Sequence, residues 1–299
     1  MVTRLWWKFI ICALGVYLSA NLVSADKAAL IRFGMVTDIH YADRDAQGSR
    51  FYSESPQKLA EFVAAMNKEK VKFVIELGDY KDQDVRPDPA RTLAYARKIE
   101  AIFAGFKGRR YHALGNHDQD SLGKAEFLKQ VVNSGIPAGS SFCSFNANRS
   151  HFVILDANFR SDGKDYERGN FDWTDANVPQ YELDWLRKDL AAARNPSIVF
   201  VHQQLDGEGS YYVKNAAAVR RILEESGRVL AVFQGHRHEG AYSFIQGIHY
   251  YTLKGLIEGS GMENNSYALI EVAADLTVRI KGFRKADSAE LKHGIVWIR

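Results

Sequence analysis

Two cysteines in 299 residues leave no disulfide framework to read. Cys12 falls inside an apolar N-terminal run, so Cys143 stands alone in the rest of the chain, which excludes an internal disulfide and a thiolate zinc site there. Cys143 lies in an apolar stretch and reads as a packed small residue. Proline is scarce, at 6 residues, and no low-complexity tract, repeat or linker follows Ala25, which argues against long disordered segments. An excess of one charge is also missing. The 39 Lys and Arg against 36 Asp and Glu argue against duplex nucleic acid as a partner.

Long hydrophobic runs are absent except at the start. Arg4 and Lys8 precede or enter an apolar stretch over residues 9–18, and Val23-Ser24-Ala25 follows as a small-residue cleavage site. Residues 1–25 therefore read as a secretory signal, with an uncleaved membrane anchor as the alternative. The expectation is an exported protein, periplasmic or secreted, with no membrane attachment after cleavage. Loss of Arg4 and Lys8 takes the formal charge from +3 to +1. Residues 26–299 are long enough to bury a sizeable core and are expected to form one catalytic domain.

What the chain does have is an alternation of short β-branched apolar runs with amphipathic stretches. Strands are predicted over 31–37, 71–77, 110–114, 141–145, 151–155, 197–201 and 229–233. Helices are predicted from Ser55-Pro56 onward and over 90–103, 124–133, 180–193 and 215–226. Three further strands, 248–253, 267–273 and 276–283, follow without helices between them. This pattern predicts an α/β fold with mixed sheets covered by helices on their outer faces.

Short polar clusters recur at the ends of the apolar strands: Asp38-Ile39-His40, Gly78-Asp79, Gly115-Asn116-His117-Asp118, His202 and Gly235-His236-Arg237-His238. Ligand sites in α/β folds gather at the carboxyl ends of strands, so residues far apart in sequence can converge there. Carboxylate, imidazole and amide oxygen suit zinc, manganese or iron, and a carboxylate can bridge two cations. Two such ions can hold a hydroxide between them and neutralise charge on a phosphoryl group. Taken singly, Asp156, His112, His151 and His249 read as structural residues.

The five clusters, in this order, resemble the signature of the calcineurin-like metallophosphoesterase family: Asp-x-His, Gly-Asp, Gly-Asn-His-Asp, His and Gly-His-x-His. They span Asp38 to His238, about two thirds of the chain. The resemblance implies a four-layer α-β-β-α sandwich with two mixed β-sheets flanked by helices. It further implies that Asp38, His40 and His238 bind one metal, that Asn116, His202 and His236 bind the other, and that Asp79 bridges them. His117 would face the substrate as the catalytic group. Asp82, in Gly-Asp-x-x-Asp, is the favoured carboxylate partner for His117, with Asp118 and Asp120 as alternatives.

The implied activity is hydrolysis of a phosphomonoester or phosphodiester of a small molecule, nucleotide-like among the candidates, by two divalent or trivalent ions such as Mn, Zn or Fe. Gln83 stands where phosphoprotein phosphatases of this superfamily carry an arginine, which argues against phosphoproteins. Arg237, Trp173 and Arg160 are the candidate substrate contacts, and Phe171, Trp173 and Tyr166 of the loop 160–179 could stack on a base. Asp38 to Asp43 also looks like the opening of relatives that cleave ADP-ribose or CDP-alcohols, though those commonly carry Gln where His40 stands. That makes phosphoanhydride cleavage the rival reading. A metal-retaining binding protein of the cell envelope is the non-enzymatic one.

Overall fold

The computed structural model describes residues 29–170 and 172–293. The signal predicted over 1–25 lies outside the described residues, as does Phe171. Among the described residues, twelve strands form two six-stranded mixed sheets. The first has the order β12-β11-β10-β1-β2-β3, with β1 (Ile31–Val36), β2 (Phe73–Glu76) and β3 (Arg109–His112) parallel to one another. β10 (Ser266–Val272) runs antiparallel to β1, and β11 (Val278–Arg284) and β12 (Ala289–Leu291) continue that edge antiparallel.

The second sheet has the order β4-β5-β6-β7-β9-β8. Its strands are β4 (Cys143–Ala147), β5 (Ser150–Ile154), β6 (Ser197–Phe200), β7 (Val229–Gln234), β8 (Ala241–Ile245) and β9 (Ile248–Thr252). β5, β6, β7 and β9 are parallel, and β4 and β8 are antiparallel edges.

Apolar residues on both faces of the central strands dictate the layers. Phe33, Phe73, Phe152, Phe200 and Phe233 fill the space between the sheets, with the Phe33 and Phe73 rings stacked at 4.8 Å and Phe200 edge-on to Phe33 at 5.7 Å. On the outer face of the first sheet, α1 (Ser55–Glu69) and α2 (Pro89–Phe103) bury Leu59, Phe62, Met66, Ile99 and Phe103 against Val36 and Val74. On the outer face of the second, α4 (Gln180–Ala192) and α5 (Ala216–Ser226) bury Leu186, Leu190, Val219 and Leu223 against Val199 and Val232. The result is the four-layer α-β-β-α sandwich that the resemblance implied.

Three elements differ from the sequence expectation. α3 runs only over Lys124–Leu128, not to residue 133, because the following turn is drawn onto the free edge of β3. There Asn133 Oδ1 accepts His112 N–H at 2.7 Å and Ser134 N–H donates to Arg110 O at 2.9 Å. β8 and β12 were not foreseen. β8 alternates half-exposed and exposed positions and shows no apolar run, and β12 is only three residues long. No helix among the described residues is long and apolar enough to cross a membrane.

Candidate metal centre

Each signature cluster sits just beyond the carboxyl end of a parallel strand: Asp38 and His40 after β1, Asp79 after β2, Asn116 and His117 after β3, His202 after β6, and His236 and His238 after β7. The backbone bends sharply to turn these side chains inward. Asp38, His40, Asp79 and His236 all take left-handed conformations, with φ of 53°, 46°, 58° and 67°. A non-glycine residue held there costs about 1–3 kcal/mol and persists only where the surroundings over-determine it. Gly78 lets the β2 loop touch its neighbours. At φ 101°, a Cβ on it would fall 2.5 Å from Gly115 N and 2.6 Å from His202 Nδ1.

The side chains converge in two groups. Donor atoms of Asp38, His40 and His238 lie within 4.8 Å of one another, and so do those of Asp79, His202 and His236. In the first group the Nε2 atoms of His40 and His238 approach to 3.2 Å, and His238 Nε2 is 3.3 Å from Asp38 Oδ1. Asp79 joins the two. Its Oδ1 accepts the His117 backbone N–H at 2.7 Å, while its Oδ2 is 3.4 Å from His40 Nε2 and 3.1 Å from His202 Nε2.

The second nitrogens of the rings are committed elsewhere, which aims Nε2 at the centre. His202 Nδ1 donates to Leu77 O at 2.8 Å, and His238 Nδ1 donates to Glu258 Oε1 at 2.6 Å. The Asp38 carboxylate is steadied by Thr37 Oγ1–H at 2.7 Å and by His236 N–H at 3.1 Å.

The electrostatics match this crowding of acids and imidazoles. Burial alone would raise Asp38 and Asp79, yet His238, His40 and His202 beside the one and His202, His117 and His40 beside the other hold both well below the carboxylate range. Burial would lower His202 and His238, but Asp79 and Asp38 respectively outweigh it and push each up to about 9. His236 moves the other way, down to about 3, through burial and its neighbour His202. Such a site attracts positive charge, and cations would compete with the protons on these rings.

The chain is 25% identical over 281 residues to the manganese-dependent ADP-ribose/CDP-alcohol diphosphatase of Arabidopsis thaliana, covering 79% of this chain and 89% of the relative. To the enzyme of the same description from Xenopus laevis it is 24% identical over 312 residues, covering 84% and 87%. Its fold superposes on a dimetal phosphatase from Danio rerio with a TM-score of 0.76 at 19% identity, covering 89% of this chain and 100% of that one. The resemblance to calcineurin-like metallophosphoesterases extends from the sequence clusters to the fold and to the grouping of the candidate ligands. Purple acid phosphatase PPD1 from yellow lupin is a more distant neighbour, with a TM-score of 0.58 at 14% identity over 85% of this chain and 51% of that one. No family model matches the chain.

The residues of this site fit a pair of hard or borderline cations. The donor set is carboxylate, imidazole and amide oxygen, without thiolate. Asn116 Oδ1 and His236 Nε2 are buried with no hydrogen-bond partner among the described residues, and buried acceptors left unpaired in this way suit a cation.

His117 stands outside both groups, although a donor atom of its ring also comes within 4.8 Å of those of His40 and Asp79. Its Nδ1 is 3.3 Å from Asp82 Oδ1 and 3.7 Å from Asp120 Oδ2. Burial opposes a charge on the ring, but Asp82 and Asp79 raise it well above the usual histidine range. Asp82 also reaches His40 Nδ1 at 3.5 Å and Arg44 Nη2 at 3.3 Å, so it links His40 to His117. Asp118, an alternative partner on sequence grounds, is used otherwise. Its carboxylate accepts the backbone N–H groups of Gly115, Asp79 and Tyr80 at 2.8, 3.2 and 3.0 Å and ties the β2 and β3 loops together.

Two clefts open from the centre. One, of about 1200 Å³, runs past His117, Asp82, Gln83 and Arg44, and the other, of about 570 Å³, past His236, His238, Tyr211 and Lys254, with Arg50 lining both. Arg237 lines neither, and its Nε is 3.8 Å from Glu239 Oε2. Arg160 Nη2 is engaged 3.5 Å from Asp162 in its own loop. Tyr166 does not face a substrate, being buried with its hydroxyl donating to Asp172 O at 2.6 Å. Trp173 is placed at the centre, its ring 5.7 Å from that of His236 and 5.5 Å from that of Tyr211.

Glu258, Arg50 and Tyr211 escaped the sequence reading. Each lies in a stretch without a cluster, and the one available signal was Glu258 at the end of the apolar run 255–257 after β9. His112, His151 and His249 are structural, lying against Glu100, Asp189 and Tyr242 respectively. Asp156 is buried on Lys124, with Nζ at 2.8 Å.

Proposed function

We propose that this protein hydrolyses a phosphate ester of a small molecule. Asp38, His40 and His238 would hold one cation, Asn116, His202 and His236 the other, and Asp79 both. The observation that supports this most directly is the position of Asp79 Oδ2, within 3.4 Å of His40 Nε2 and 3.1 Å of His202 Nε2, where one oxygen serves both groups. Two cations bound there supply Lewis acidity, drawing charge from the phosphoryl oxygens and making water nucleophilic at neutral pH.

The chain's own residues supply the rest. His117, kept protonated by Asp82, is placed to donate a proton or a hydrogen bond to the departing oxygen. Asp82 holds that ring while also steadying His40. Gln83 presents an uncharged amide beside the larger cleft where a phosphoprotein phosphatase would present a guanidinium.

A second reading, cleavage of the phosphoanhydride in a nucleoside diphosphate-linked substrate, is supported by the relatives named for ADP-ribose and CDP-alcohols and by Trp173 and Tyr211 standing over His236. Manganese-loaded protein assayed on 4-nitrophenyl phosphate, bis(4-nitrophenyl) phosphate and ADP-ribose separates the two. Turnover of the esters supports the first and a strong preference for ADP-ribose the second. Two bound ions with turnover of none of the three would favour a binding protein.

Export remains part of the proposal, resting on the composition of residues 1–25. N-terminal sequencing of the secreted or periplasmic product should begin at Asp26. Retention of Met1 on a membrane-bound product would favour the anchor.

A further inference from the structure

Lysine is rarely found wholly inside a protein, because its ammonium loses hydration and must recover it from partners. Lys81, between Tyr80 and Asp82 in the loop after β2, has a side chain with no exposed surface. Among the described residues its Nζ donates to two groups, the Asp120 carboxylate and the backbone carbonyl of His117. Neither partner is a proposed metal ligand.

The two partners converge on one ring. His117 lies on a short 3₁₀ turn, Asn116–Gln119, too brief to fix its own backbone by regular helix bonding. Its N–H is held by Asp79 Oδ1 at 2.7 Å, and its carbonyl receives Lys81 together with Asp120 N–H at 3.3 Å. Asp120, anchored by Lys81 through Oδ1, keeps Oδ2 3.7 Å from His117 Nδ1, facing it along with Asp82. Asp82, His117 and Asp120 are close enough to form a cation-binding trio by distance alone. The Lys81 ammonium already sits on Asp120 and supplies that charge.

We infer that Lys81 is a positioning residue for His117, fixing the ring in place by gripping its carbonyl and the Asp120 carboxylate behind it. This rests on the reading of His117 as the catalytic group. Without Lys81, the turn loses its hold on the carbonyl side and Asp120 loses the ammonium that anchors its Oδ1 beside the ring. The position of His117 over the departing oxygen should then drift, while the metal ligands, which Lys81 does not touch, should stay in place.

A double-mutant cycle on manganese-loaded full chain tests this, using 4-nitrophenyl phosphate and phenyl phosphate as probes. Lys81→Met should keep two manganese ions per chain and a KM within about threefold, and lower kcat by about 10²-fold, the cost of misplacing a group by about 1 Å. Like His117→Asn, it should slow the phenyl ester, with its poorer leaving group, at least fivefold more than the nitrophenyl ester. The double variant should be no slower than His117→Asn alone. Losses that multiply in the double variant, or a Lys81→Met loss equal on both esters, would overturn the inference and leave Lys81 with a structural role. If Lys81→Met does not fold, Lys81→Met with Asp120→Asn removes both buried charges and enters the same cycle. A fully active His117→Asn variant would instead overturn the role of His117 itself.

Discussion

Glu258 Oε1 lies 2.6 Å from His238 Nδ1, so a carboxylate from the loop after β9 orients an imidazole that follows β7. The hydrogen bond from His238 is the main reason the Glu258 carboxyl sits down at about 2, ahead of its other neighbours. Such outer partners fix the tautomer and raise the basicity of a ligating ring. Glu258→Ala should therefore weaken manganese binding about 10- to 100-fold. Titration of the metal-free variant with manganese measures this, and an unchanged affinity would remove Glu258 from the supporting shell.

His117 is expected to act on the substrate and not on the metals. His117→Asn should retain the full metal content and lose about 10²- to 10⁴-fold in kcat, the usual worth of general acid catalysis. Metal analysis beside steady-state kinetics checks both halves. Loss of an ion in this variant would mean that the ring is a ligand.

Trp173 and Tyr211 flank His236 at 5.7 and 5.5 Å between ring centres. If they receive a base, Trp173→Ala should raise KM for ADP-ribose about 10-fold, since stacking on an aromatic is worth roughly 1–3 kcal/mol per base. KM for 4-nitrophenyl phosphate should change far less. Equal changes on both substrates would show that Trp173 only shapes its loop.

A pH effect on stability follows from His112, buried behind the β2 loop. Its Nε2 is 3.3 Å from Glu100 Oε2 and its Nδ1 3.5 Å from Glu76 Oε2. Burial lowers the ring's affinity for a proton, but Glu100 and Glu76 outweigh it and raise the group to about 9. An unfolded histidine titrates near 6.5, so the folded state binds the proton more tightly. That stabilisation is fully present below about pH 6.5 and is lost as pH rises through about 9, on the order of 3 kcal/mol at most. Thermal melts from pH 6 to 10 should show Tm falling more steeply in the wild-type protein than in His112→Asn. Parallel slopes would contradict the ion pair.

The sequence carried the candidate ligand residues further than it carried their support. Asp38, His40, Asp79, Asn116, His202, His236 and His238 follow strand ends in an ordered set of clusters, so their convergence can be argued from the set where no single residue would carry it. Lys81 and Glu258 belong to no signature cluster, and nothing in the neighbours of Lys81 tells a buried lysine from a solvated one. Asp82 is the favoured partner of His117 on sequence grounds, with Asp118 and Asp120 as alternatives, and only the turn geometry assigns Asp118 to backbone amides. In the fold, the runs of apolar β-branched residues located the central strands. β8, which alternates half-exposed and exposed positions, and the end of α3, set by the unpaired edge of β3, carry no apolar signal of their own.

The most direct test of the central claim is the metal stoichiometry of chelated protein titrated with manganese while hydrolysis of 4-nitrophenyl phosphate and ADP-ribose is followed. Two ions per chain should bind, with activity appearing only as the second site fills, and Asp79→Asn should lose most of the activity and much of the affinity at both sites together. Full activity with one ion or none, or an Asp79→Asn variant that binds two ions with unchanged affinity, would contradict a centre in which Asp79 is shared.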